Sequence, residues 1–292
     1  MRLTSGWLRL LPLFILPIFA FTSRPYFPSW AFMWIMGFSI YAGCKWLTWS
    51  KAVEKGIRPP AWLSLGYFVA WPGMDARAFL DRSSKIARPH SKIWYLAALK
   101  TLWGAVLLWG IARLVPSDQP LLVGWVGIAG LILFGFFGFF HINALLWQSL
   151  GINAQPIMNS PVLATSLTNF WGARWNLAVH KLAQDLAFEP LLHRLGVSGA
   201  VFMTFLASGF AHELVTSLPA RGGYGLPTAY FILQSLGVFL ERSNLGRRLG
   251  LGRGLRGRVF AFIFTACPFF LLFHQPFVTR VIIPFMRRIH AL

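Results

Sequence analysis

The sequence predicts an all-α, multi-pass membrane bundle of about seven to eight spans, with additional re-entrant or interfacial helices. Three observations predict it. Of 292 residues, 56% are hydrophobic and 12% charged, whereas a soluble domain carries about 25% charged residues. Apolar runs of spanning length alternate with short charged ones. The longest polar stretches, 75–92 and 242–258, are too short to build a soluble core of their own. Chemistry, if any, takes place in or at the membrane.

Lys and Arg number 27 against 8 Asp and Glu, a net charge of +19. In a soluble chain that excess suggests nucleic acid. Here it lies between apolar segments, so it reads as a topological signal that keeps positive loops in the cytoplasm, and no nucleic-acid partner is expected. Cys44 and Cys267 both sit in apolar surroundings, so neither a disulfide framework nor a metal site is expected.

The elements follow in order. Arg2 and Arg9 precede a short first span, 10–22, which no small-x-small cleavage site follows, so it reads as uncleaved. The second span is 29–47, with Trp30, Trp34, Trp46 and Trp49 as interface anchors. Lys45, Lys51, Lys55 and Arg58 mark a cytoplasmic side. Residues 61–72, between Pro59-Pro60 and Trp71-Pro72-Gly73, are apolar but shorter than the roughly 20 residues of a spanning helix, and read as re-entrant or interfacial. The loop 75–92, with Arg77, Arg82, Lys85, Arg88 and Lys92, is cytoplasmic. The third span is 93–115, and the turn holding Asp118 is external. The fourth, 121–149, carries Gly124, Gly127, Gly130, Gly135 and Gly138, small residues that let helices approach closely. His141 and Asn143, deep in that span, either line a polar cavity or satisfy neighbours.

Residues 151–196 contain no expected span and should lie at the cytoplasmic surface. The fifth, sixth and seventh spans are 198–217, 225–241 and 259–273. The intervening loop 242–258 holds six arginines and no acid. The last segment, 277–289, with Arg280, Arg287 and Arg288, has no assignment.

The chemistry concentrates in 165–219. On one continuous helix over 166–182, Asn169, Asn176 and His180 fall within about 40° of one another, with Trp171 and Trp175 as a neighbouring stripe. On 198–217, Thr204, Ser208, His212 and Thr216 rise four apart as a polar ridge in an otherwise apolar helix. A histidine there is costly and reads as functional. A neutral buried imidazole suits a general base, and an asparagine amide suits an oxyanion or an acceptor hydroxyl. Glu213 points about 100° from His212 and reads as half of a salt bridge to a basic group rather than as a catalytic acid. No Gly-x-Ser-x-Gly occurs, so a hydrolase serine is unsupported. His180 and Asp185 are similar to the catalytic pair of glycerolipid acyltransferases, but five residues apart on a helix they diverge, and that family's second block is missing.

Asn169-Phe170-Trp171-Gly172-Ala173-Arg174-Trp175-Asn176, followed by Ser208-Gly209-Phe210-Ala211-His212-Glu213-Leu214, resembles the membrane-bound O-acyltransferase superfamily, in its wax-synthase-like branch. Pro72-Gly73-Met74-Asp75-Ala76-Arg77 is similar to an N-terminal block of that branch, so the resemblance runs over about 60–280 of a single integral-membrane domain, 1–292. It departs at Ala173, where the branch usually has Arg. The resemblance implies a catalytic pair, Asn176 and His212, in a tunnel through the helical core. It implies acyl-CoA as co-substrate, with no other cofactor, and a lipophilic alcohol as acceptor. Arg174, Trp175, Trp171, Asn169, Ser208, Glu213 and Lys181 are the expected substrate-binding residues. Membrane lipid is the surrounding partner, and the entrance is expected on the cytoplasmic side. The alternative is a non-catalytic or transport protein of the same fold. The absence of an internal repeat argues against transport.

Overall fold

The computed structural model describes residues 8–83 and 86–292. Arg2 and Lys85, two of the charges counted above, lie outside them. The described residues form helices and no strand. They divide into two units, Met1–Ile157 with Ile282–Leu292, and Met158–Val281. Among the described residues, four helices are long and apolar enough to cross a membrane: Ser91–Leu114, Pro120–Ser149, Leu177–Ala220 and Gly254–Leu272. The chain is an integral membrane protein on that ground.

In the first unit, α1 (Leu11–Thr22) and α2 (Ser29–Glu54) form a hairpin. Gly43 makes it possible, because a Cβ there would lie 2.5 Å from Leu13 Cα. Arg9 and Glu54 close its end as an ion pair. The segment expected to be re-entrant is a nine-residue helix, α3 (Ala61–Val69), followed by a loop and a short α4 (Ala76–Leu80) capped by the Asp75 carboxylate. Leu63, Tyr67, Trp71 and Phe79 make a buried core here, with Trp147 packed against it.

One charge was misplaced by sequence. Lys45, expected to mark a cytoplasmic surface, is completely buried. Its Nζ donates to Gly73 O at 2.5 Å and lies 3.6 Å above the Tyr67 ring. The ring face and the carbonyl replace water around the ammonium. Tyr41 and Tyr67 donate to Trp71 O and Met74 O, so the loop at 71–74 is held from three sides. Nor are the four tryptophans of α2 only interface anchors. Trp30 and Trp34 pack on Phe285, and Trp46 lies against Trp49.

The glycines of α6 (Pro120–Ser149) do what their spacing predicts. A Cβ on Gly130 would meet Leu108, and one on Gly138 would meet Thr101, both on α5 (Ser91–Leu114), while Gly127 faces Met286. Gly135 has open space around it. Trp109 and Arg113 donate to the carbonyls of 289–291 and tie the C-terminal segment to α5.

In the second unit, two expectations about 151–196 are overturned. Residues 166–182 are not one helix: α7 (Leu167–Ala173) ends before Asn176, whose φ of 43° and ψ of 61° break the run. The shared face of Asn169, Asn176 and His180 therefore does not exist. Second, Leu177–Ala220, here α8, continues the helical run well before 198, interrupted at Gly196 where φ is 66°. Then come α9 (Leu226–Arg242), α10 (Asn244–Leu249) and α11 (Gly254–Leu272). Arg280, unassigned from sequence, donates to Ala220 O and Arg221 O. It supplies a cation to the last carbonyls of α8, where the helix dipole favours one.

Candidate active site

Two helix N-termini are held by two acids, Glu241 buried and Glu213 half-buried, and this arrangement builds the site. At the start of α7, Ser166 Oγ accepts from Asn169 N–H at 2.9 Å. Glu241, buried at the far end of α9, accepts from Leu167 N–H at 2.5 Å and from Thr168 N–H at 3.3 Å. Serine and carboxylate together satisfy three of the four donors that a helix start leaves unpaired. At the start of α9, Glu213 Oε1 accepts from Gly225 N–H at 3.0 Å, from Thr228 N–H at 3.1 Å and from Thr228 Oγ at 2.9 Å. Glu213 therefore caps a helix, and among the described residues it forms no ion pair with a basic one. A helix N-terminus supplies the positive field that a lysine would have supplied. Glu213 Oε2 is buried without a partner among the described residues.

The aromatic motif folds into a tight knot. Arg174 Nε donates to Asn169 Oδ1 at 2.6 Å, and its Nη1 donates to Asn159 O and Ser160 O, each at 3.3 Å. Phe170 stacks on Trp175 at 5.4 Å. Trp171 turns the other way, donating from Nε1 to Gln234 Oε1 at 3.2 Å, while Gln234 Nε2 donates to Phe264 O at 2.7 Å. Trp171 and Trp175 are thus not one stripe. Asn176, in the left-handed region that asparagine tolerates better than most residues, accepts from Val179 N–H at 3.4 Å through Oδ1.

The ridge on α8 is present as its spacing predicts. Thr204, Ser208 and Thr216 hydroxyls donate to the carbonyls four residues back, Ala200 O, Thr204 O and His212 O. His212 Nδ1 lies 2.7 Å from Ser208 O. A carbonyl only accepts, so Nδ1 carries the proton and the neutral ring keeps its lone pair on Nε2. The ring sits 4.6 Å from Phe231, and Trp171 packs on the same Phe231 at 5.8 Å. Phe231 therefore joins the motif on α7 to the histidine on α8. No hydrogen bond joins Asn176 to His212 among the described residues.

Lys181 pairs with Asp185 at 2.8 Å, which takes Asp185 away from His180 and removes the glycerolipid-type pair. Ser217 and His274 look like a nucleophile and its base at 3.1 Å, but the proton order is the reverse. Phe277 N–H donates to His274 Nδ1, so Nε2 carries the proton and donates to the serine. Burial pushes the His274 imidazole below its ordinary value. No group of His, Cys, Asp and Glu among the described residues is arranged to hold a metal. Sequence reasoning missed Glu241, Gln234 and Phe231. A glutamine midway along an apolar span was the one available signal.

These features define an integral membrane protein with a histidine of fixed tautomer in an apolar helix, beside an aromatic Asn–Arg motif. Residues 154–233 match the model of the membrane bound O-acyl transferase family, and the resemblance to its wax-synthase-like branch holds over this segment, which carries Asn176 and His212. Acyl-CoA–sterol O-acyltransferase 1 of Arabidopsis thaliana is 42% identical over 71 residues, 22% of this chain and 21% of that protein. The long-chain-alcohol O-fatty-acyltransferase of Simmondsia chinensis is 38% identical over 102 residues, 32% of this chain and 29% of that protein. The chain spans less than a third of the length of these relatives.

Proposed function

We propose that this protein is an acyl-CoA-dependent O-acyltransferase acting on the hydroxyl of a lipophilic acceptor, with a long-chain alcohol, giving a wax ester, as the preferred class over sterol, terpenoid or diacylglycerol. The observation that carries the reading is the His212 Nδ1 contact with Ser208 O, within the segment that matches the family. The free lone pair on Nε2 takes the proton of the acceptor hydroxyl. The oxygen then attacks the thioester carbonyl, the C–S bond breaks, and the imidazolium returns its proton to the departing thiolate. Asn176, with Oδ1 spent on Val179 N–H, keeps its amide N–H₂ to stabilise the oxyanion or orient the hydroxyl. Trp171, Trp175 and Asn169 shape the acyl pocket, and Ser208 sets the ring through its carbonyl. Glu213 holds α9 against the histidine. Arg174 and Lys181 face the coenzyme A phosphates at a cytoplasmic mouth. Seven to eight crossings enclosing a tunnel complete the reading.

Labelled acyl-CoA, supplied to purified protein with a panel of alcohols, tests it. Ester should form with long-chain alcohol, and His212→Ala should lower turnover by about 10²–10⁴-fold while the protein remains folded. Wild-type turnover in well-folded His212→Ala would remove the base. No ester with any alcohol would favour a non-catalytic protein of this fold.

A further inference from the structure

Lys100 and His141 lie in the first unit, on two helices that the proposed chemistry does not use. Lys100 is nine residues into α5, about 14 Å along the axis at 1.5 Å per residue, which puts it well inside the apolar span. α5 and α6 run antiparallel in close contact. Gly104 abuts Phe134 and Gly138 abuts Thr101, so the next turn brings 141 level with 97–100. Asn143, two residues on, points about 200° away from His141, so the two do not share a cavity.

Neither Lys100 nor His141 has a hydrogen-bond or ion-pair partner among the described residues. The only acid in 91–149 is Asp118, in the turn between the helices, about 20 Å of helix from Lys100. An unpaired ammonium in hydrocarbon is costly. Lys100 also lies in one stripe with Leu96 and Trp103, at i, i+4 and i+7, and these are 41% and 55% exposed. Lys100 itself is half-buried on that stripe, between two exposed apolar side chains.

We infer that this helix pair binds a long-chain carboxylic acid from the bilayer, with its head group at Lys100 and His141 and its chain along Leu96 and Trp103. A carboxylic acid fits because it arrives neutral. Its proton passes to the Lys100 amine, and an ion pair forms with no net charge carried into the membrane. A phosphate arrives charged and stays at headgroup level, and an alcohol has no proton acidic enough to give up. The site stands on the first unit alone, so its failure and the failure of the acyltransferase reading are independent.

Equilibrium binding of tritiated palmitic acid to the purified full-length protein tests it. Saturable binding is expected, at least tenfold weaker in Lys100→Met and several-fold weaker in His141→Phe, with no competition from hexadecanol or phosphatidate. Lys100→Met removes an unpaired amine and should melt no lower than wild type. If it does not fold, Lys100→Gln, which keeps length and polarity without the base, should show the same loss. Wild-type affinity in the folded variant would overturn the inference, as would equal competition by hexadecanol or phosphatidate.

Discussion

The tautomer of His212 is decided by one backbone carbonyl, Ser208 O at 2.7 Å. The four-residue spacing that puts Ser208 and His212 on one ridge is readable from sequence. That the ridge is tied by hydroxyl and imidazole donation to carbonyls four residues back is not, because it depends on side-chain rotamers. Arg174 shows the same division. Its place two residues before Asn176 suggests a phosphate contact, yet its Nε and Nη1 are spent on Asn169, Asn159 and Ser160. Among the described residues, only Nη2 is left without a protein acceptor. Arg174→Ala is therefore expected to lower the melting temperature as well as to raise the acyl-CoA KM, the latter more than Arg253→Ala does. Thermal melts and steady-state kinetics with each substrate varied separately check this. An unchanged KM would leave Arg174 as an internal strut alone.

Among the elements, α7 is the one whose existence depends most on a distant residue. It has seven residues, fewer than an isolated helix needs to be stable in water. Its first three N–H groups are satisfied by Ser166 and by Glu241, 74 positions away from Leu167. Glu241→Gln keeps the shape but exchanges an ionised acceptor for a neutral one. It should cost about 1–3 kcal/mol and weaken the packing of Trp171 against Phe231 and Gln234. The readout is a lower melting temperature with a change in tryptophan fluorescence. Glu241→Asp, which retains the charge on a shorter stem, should recover part of the loss. Wild-type stability in Glu241→Gln would show that Ser166 suffices. The misjudged helix at 166–182 has a local cause. Asn176 occupies the left-handed region, and hydropathy carries no record of a single residue's φ.

For the whole molecule, the basic runs predict orientation. Loops 75–92 and 242–258 and the segment 165–182 should all face the cytoplasm. All six arginines of 242–258 are exposed, consistent with a surface loop. Single cysteines at Asp81→Cys and Arg247→Cys, in a chain with Cys44 and Cys267 replaced by serine, should resist a membrane-impermeant thiol reagent added outside intact cells. Labelling at 247 would reverse the assignment. Lys45 shows the limit of such counting, because a charge contributes to topology only if it faces water, and Lys45 is folded under the 71–74 loop. Lys100, inside the third span, was likewise not visible as a charge without a partner until the other helices were placed around it.

The sequence by itself determined the membrane class, the all-helical fold, the close packing of α6 through Gly130 and Gly138, the polar ridge of α8 and the family resemblance of 154–233. These follow from hydropathy, residue spacing and contiguous motifs, which are properties of a chain read along its length. The tertiary structure decided how the charges are satisfied. Glu213 and Glu241 go to helix N-termini, the former rather than to the basic group expected of it, Arg280 goes to the end of α8, and Lys45 goes to a tyrosine ring and a carbonyl. The reason is that a charged group takes whichever compensating dipole the fold brings within hydrogen-bond reach, most strictly where it is buried, as Glu241 and Lys45 are, and that partner lies far away in sequence.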